Sequence, residues 1–139
     1  MSELKNQISQ FIDTNAKNYQ DISLAIHAKP EVSDFEYFAS QTLSEQLKKE
    51  GFEIELPAAG HRTGFAATYK SNKPGPTVAF LAEYDALSGL GHGCGHNVFG
   101  ATSSLAGAAL KSVVDQIGGE VRVYGTPGEE GGQNGSAKG

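Results

Sequence analysis

Cysteine is the scarcest of the chemically reactive residues in this 139-residue chain: there is one, Cys94. A single cysteine forms no internal disulfide, and a reducing, cytoplasmic setting is the simplest expectation. Long hydrophobic runs are missing too. No apolar stretch approaches the ~20 residues that a membrane helix needs. The opening Met1-Ser2-Glu3-Leu4-Lys5 lacks the charged-then-apolar layout of a secretion signal. Positive charge is in short supply: 11 Lys and Arg stand against 16 Asp and Glu, a net charge of −5. That balance speaks against a nucleic-acid partner or an anionic membrane surface. Apolar residues make up a lean 38%, enough for the one core expected at this length. Glycine is plentiful, at 18 residues clustered after Pro74.

Residues 3–28 read as helix. Leu4, Ile8, Phe11 and Ile12, then Tyr19, Ile22 and Ile26, recur at helical spacing. The polar stretch Asn15 to Asn18 leaves open whether this is one helix or two, and Lys29-Pro30 ends it. His27 near that end reads as a surface or capping residue. A second helix is expected from about Asp34 to Glu50. Ser33 and Glu36 have the form of a capping box, and Phe35, Phe38, Ala39, Leu43 and Leu47 supply the apolar stripe. Gly51 suits the position after the last turn. Phe52, Ile54 and Leu56 alternate with glutamates, and Gly64 to Lys70 forms a second strand, so the two predict a hairpin near a sheet edge. His61 and Arg62 fall in its loop and are expected to be solvated. Thr77 to Ala82 is a nearly continuous apolar run, which predicts a central strand buried on both faces. Asn97 is a good N-cap for a helix from Val98 to about Ile117, rich in small residues. Gly118-Gly119 stops it, and Glu120 to Thr126 alternates as a strand.

Strand, loop, helix and strand from 77 to 126 make one β-α-β unit, with parallel strands and a right-handed crossover. Sites in such sheets form outside the carboxyl ends of the strands. The loops 85–97 and 127–132 therefore meet at one edge. The first holds Gly89, Gly91, Gly93 and Gly95 interleaved with His92, Cys94 and His96. Cys94 and His96 are two apart, so in an extended loop both face one side. Thiolate, imidazole and carboxylate are good zinc ligands, and with Glu130 they make three protein ligands that leave a position for water. Glu129 beside them supplies a general base. Glu83 and Asp85 can bind a second ion or hold a histidine tautomer. The start of the following helix favours a thiolate at Cys94. Each signal alone has a plainer reading: an inert thiol, a solvated Glu-Glu turn, an aspartate that caps a helix. A third reading makes Cys94 a nucleophile with His92 or His96 as its base, although no oxyanion site or third triad member is evident. Their convergence on one sheet edge favours the metal site.

Three segments then carry a resemblance: Leu81-Ala82-Glu83-Tyr84-Asp85-Ala86-Leu87, Gly91-His92-Gly93-Cys94-Gly95-His96-Asn97, and Gly125-Thr126-Pro127-Gly128-Glu129-Glu130-Gly131-Gly132. In order and spacing they resemble the di-metal amidohydrolases, a family that includes aminoacylases, hippurate hydrolase, indole-acetyl-amino-acid hydrolases and aminobenzoyl-glutamate hydrolase. Asn97 stands where many members have Asp, which favours the aminobenzoyl-glutamate hydrolase and β-alanyl-dipeptidase branch. The resemblance implies hydrolysis of an amide bond to a free amino acid, in an N-acyl amino acid or a dipeptide. It implies zinc or manganese, two ions per complete site. By motif position Cys94, His96 and Glu130 look like metal ligands, Glu129 like the base, and Asp85, His92 and Glu83 like supporting residues. It implies an α/β fold, a partial three-layer mixed sheet with helices. Residues 1–139 resemble the N-terminal third of such an enzyme, and two further histidine ligands and a lid or dimerisation domain lie beyond that third. The expectation is a chain with little activity alone, from a full-length homo-oligomer. The alternative is a non-catalytic fragment that binds one metal or a partner chain.

Overall fold

The apolar spacing of residues 4–26 produces one unbroken helix, α1 (Ser2–Ala28), in a computed structural model that describes residues 2–131. The polar stretch in its middle carries its own support. The Asn15 amide donates to the Phe11 carbonyl at 2.8 Å, and Lys17 pairs with Asp21 one turn on. Helix α2 (Tyr37–Lys49) starts three residues later than expected, and the Ser33–Glu36 capping box does not form. The Glu31 carboxylate takes over, accepting from the Phe38 and Ala39 N–H groups at 3.0 and 2.9 Å. Ser33 and Glu36 are thereby released for partners elsewhere.

The strands are β1 (Glu53–Glu55), β2 (Phe65–Lys70), β3 (Thr77–Ala82) and β4 (Glu120–Gly125), with α3 (His96–Ile117) between the last two. Their order across the sheet is β1-β2-β4-β3. The hairpin β1–β2 and the pair β2–β4 are antiparallel, and β3 and β4 are parallel, as the β-α-β unit requires. One expectation is overturned. Thr77–Ala82 is an edge strand, not a central one, with Val78 and Leu81 39% and 42% exposed. An apolar run signals burial on both faces only where a neighbour exists on each side, and among the described residues β3 pairs with β4 alone.

Phe65, Ala67, Val121 and Val123 point from the sheet into a core closed by Leu43 and Leu47 of α2, Ala108 and Val114 of α3, and Tyr19, Ile22 and Ile26 of α1. Burying each large side chain contributes about 1.5–3 kcal/mol, which holds the helices to this one face. Gly107 lets α3 come close: a Cβ there would lie 2.3 Å from Val123 Cγ2. The ladder runs one residue past the strands, where Thr126 N–H donates to the Ala82 carbonyl at 2.9 Å. Glu83 and Pro127 therefore leave the sheet side by side. None of the described helices is long and apolar enough to cross a membrane.

Candidate metal centre

The site is built where β3 and β4 end and α3 begins. Gly95 caps α3 in the left-handed region, at φ 78°, a conformation open to glycine at little cost. That turn separates its neighbours: Cys94 is exposed, whereas His96, the first residue of the helix, is buried. The two do not converge through an extended loop as the spacing suggested. Asn97 is not the cap either. It lies inside the first turn, and its amide donates to the Ser23 hydroxyl and carbonyl at 3.1 and 3.3 Å, tying α3 to α1.

His96 is the centre of the cluster. Its Nδ1 lies 2.9 Å from Asp85 Oδ1. Its Nε2 lies 3.0 Å from Glu83 Oε2 and 3.8 Å from both Glu129 Oε2 and Glu130 Oε1. Asp85 is itself fixed from two sides, because its Oδ2 accepts from the Ser33 hydroxyl at 2.7 Å and from the Glu130 N–H at 2.9 Å. With Nδ1–H donated to Asp85, the Nε2 lone pair faces three carboxylates. A lone pair and three anions repel one another in a partly dry site, and a divalent cation between them would relieve that repulsion. The donor chemistry suits a divalent cation, and single donor atoms of Glu83, His96 and Glu129 lie within 4.8 Å of one another. An imidazole with one nitrogen on a carboxylate and the other free is the common form of a metal-binding histidine.

Cys94 joins the cluster through Glu130, which accepts a hydrogen bond from its thiol. That bond, aided by a slight desolvation and by the charges of Glu130, Glu129 and Asp85, pushes the thiol pKa up. The shift is opposite to what a cysteine nucleophile needs. His92 is half-buried, with its ring against His27 at 6.2 Å. Burial, then the neighbouring His27 and His96, lower its pKa against the smaller opposing effects of the Ile26 backbone and Asp85. Arg62 lies over the Phe35 ring at 5.4 Å, and His61 is half-buried. Gly132, the last residue of the acidic loop, lies outside the described residues.

Sequence reasoning missed the layer beneath these acids. Glu36 is fully buried. Its Oε1 accepts from the Asp34 N–H at 2.7 Å and from the Gly128 N–H at 3.2 Å, and its Oε2 accepts from the Thr63 hydroxyl at 2.5 Å. The Thr63 carbonyl accepts in turn from the Tyr84 hydroxyl, and the Tyr84 ring stacks on Phe65. The available signal was a lone acid between Phe35 and Tyr37-Phe38, an apolar setting for a residue read as a helix cap.

No family model matches the chain. Over 151 residues it is 34% identical to one of the subunits of the p-aminobenzoyl-glutamate hydrolase of Escherichia coli (strain K12), covering 95% of this chain and 31% of that protein. Among solved structures it is similar to a protein from methicillin-resistant Staphylococcus aureus proposed to be an aminohydrolase, with TM-score 0.82, 29% identity and coverage of 96% of this chain and 37% of that one. The fold is shared with a dinuclear metal-binding peptidase of the M20 family from Bacillus subtilis, with TM-score 0.63, 24% identity and coverage of 91% of this chain and 36% of that one. The chain thus spans about a third of the length of the relatives it matches.

Proposed function

We propose that this chain, a relative of the di-metal amidohydrolases and peptidases through their N-terminal third, carries part of a metal-dependent amide-hydrolysing site. The observation that carries this reading is the convergence of Glu83, Glu129 and Glu130 on His96 Nε2, with Asp85 behind the ring. Cys94, His96 and Glu130 would hold zinc or manganese, and Glu83, whose carboxylate lies 3.0 Å from His96 Nε2, is a further candidate donor. A bound divalent ion supplies Lewis acidity toward the scissile carbonyl and lowers the pKa of water. Glu129, one-third exposed at the mouth, accepts the proton of the attacking water and returns it to the departing amine nitrogen. Asp85 keeps the Nδ1 proton of His96 in place, so that Nε2 stays a ligand.

The substrate is a small N-acyl amino acid or a dipeptide. A cavity of about 280 Å³ beside Glu130, lined by Val32, Phe35 and Leu87 with Ser33 and Ser88, offers room for an apolar substituent. Residues 1–139 form the N-terminal portion of the catalytic domain, and turnover requires the segments that follow in the relatives. The full-length protein is a cytoplasmic homo-oligomer that binds neither nucleic acid nor membrane. A second reading, a non-catalytic fragment that pairs with another chain, draws support from the exposed edge of β3.

Paired substitutions in the full-length protein test the roles. Glu129→Gln is expected to cut kcat by roughly 10²–10⁴ with metal content unchanged, the range for loss of a general base. Glu130→Gln is expected to lower metal content itself. Unchanged turnover in Glu129→Gln, or absence of bound metal in the unaltered protein, sinks the assignment.

A further inference from the structure

We propose that Glu36 is the positioning residue of the site: its buried carboxylate grips the Gly128 N–H and so fixes the loop that presents Glu129 and Glu130 to the ion. The inference rests on the metal reading above.

Glu36 sits just before α2, and 92 residues separate it from Gly128. Strand β4 ends at Gly125, and the ladder beyond it reaches only Thr126. Past that point, two backbone N–H groups of the described part of the acidic loop donate to distant parts of the chain. Glu130 N–H donates to Asp85, and Gly128 N–H donates to Glu36. They bracket Glu129, the proposed base. Asp85 is already engaged with His96 and Ser33, so Glu36 is the anchor independent of the ion's immediate surroundings.

Glu36 is also held rigidly. Thr63 and the Asp34 N–H supply two further donors. Through the Thr63 carbonyl, Tyr84 joins the same chain of hydrogen bonds. Tyr84 stands between Glu83 and Asp85 in sequence. One buried carboxylate therefore links both acid-bearing loops, which reach the sheet edge on different strands. A buried acid without such a task would be costly to keep where an apolar residue fits.

The test uses three variants of the chain and two readouts. Glu36→Leu removes all the acceptors. Glu36→Gln keeps an oxygen for the Gly128 and Asp34 N–H groups and lets Thr63 accept instead. Thr63→Val loosens Glu36 without touching it. The first readout is amide hydrogen exchange at Gly128, Glu129 and Glu130. The second is affinity for Mn²⁺ by calorimetry and for Zn²⁺ by chelator competition, measured below the unfolding range. Glu36→Leu is expected to lose protection at Gly128 and to weaken ion binding by about 10–100-fold, the usual effect of removing an outer support of a metal site. Glu36→Gln is expected to retain both. Thr63→Val is expected to fall between, and it decides the matter if the leucine variant does not fold. Unchanged exchange and unchanged affinity in folded Glu36→Leu or Thr63→Val overturn the proposal. Changed exchange in a chain that binds no divalent ion in any form overturns the metal reading instead, and the positioning role with it.

Discussion

Two groups of glycines at opposite ends of the same sheet serve different needs. At the end away from the acids, Gly75, Gly118 and Gly119 interlock. A Cβ on Gly118 would meet the Pro74 carbonyl at 2.3 Å, one on Gly119 the Pro76 carbonyl at 2.3 Å, and one on Gly75 the backbone of Gly118 at 2.6 Å. Backbone lies against backbone there, bonded from Gly119 N–H to Lys73 and from Glu120 N–H to Pro76. At the acidic end, Gly89, Gly95 and Gly131 also have positive φ, but a Cβ at any of them would meet nothing within 4 Å. The first group is required for space and the second for backbone conformation alone. The same compositional signal therefore marks a backbone joint in one group and open turns beside candidate ligands in the other.

The largest effect should come from closing the joint. Gly119→Ala puts a Cβ against the Pro76 carbonyl at a φ of 106°, and neither backbone segment can yield cheaply. A loss of about 3 kcal/mol or more is expected, with a fall in thermal midpoint on the order of 10 °C. Metal uptake by the folded fraction should be unchanged, since the substitution lies at the far end of β4. Scanning calorimetry with and without Zn²⁺ checks both halves. A variant that lost ion binding while it kept its stability would break the contrast.

Gly95→Ala is the matching change at the other end. The left-handed residue costs about 1–2 kcal/mol when it carries a Cβ, with no clash to add. Gly95→Asn should recover part of that loss, because Asn tolerates this region better than Ala does. Denaturant titration of the three proteins measures the differences. A loss as large as that of Gly119→Ala would mean that both ends are packed joints.

The contrast also explains what could be read from the residues. The β-α-β unit was readable because its signals are local: an apolar run, a glycine turn, a helix of small residues, an alternating strand. The meeting of loops 85–97 and 127–131 followed from topology alone. The lateral place of β3 did not, because an edge strand and a central strand share one pattern when the edge is apolar. The fates of Ser33 and Glu36 were hidden for another reason. Their partners lie 52 and 92 residues away, and a local pattern, the capping box, offered both a nearer use. It failed because the helix starts later, at Tyr37, where Glu31, from two residues farther upstream than Ser33, accepts from the Phe38 and Ala39 N–H groups. Cys94 and His96 reach one cluster by a route that spacing did not suggest, with Glu130 joining an exposed thiol to a buried ring.

The smallest effect is the one that isolates Glu36 from the rest of the acidic end. Burial pushes the Glu36 pKa above its ordinary value of 4.5, against the Thr63, Asp34 and Gly128 donors that favour the charged form. Tyr84, whose own pKa is raised by burial and then by Glu36 and Asp85, faces it from the β3 side. The sign follows from proton counting. A folded state that binds the Glu36 proton more tightly than the unfolded chain is stabilised below the unfolded pKa, and it loses that contribution as pH rises through the folded pKa. Glu36→Gln has no proton to lose, so its stability should lack this component of the slope. Unfolding free energies of both proteins at a series of pH values from 4 to 8, in chelator to keep the site free of metal, give the difference curve. The parent chain should lose ground to Glu36→Gln as pH rises. A curve of the opposite sign would mean that the three donors outweigh burial, and that Glu36 holds Gly128 as a carboxylate already favoured by the fold.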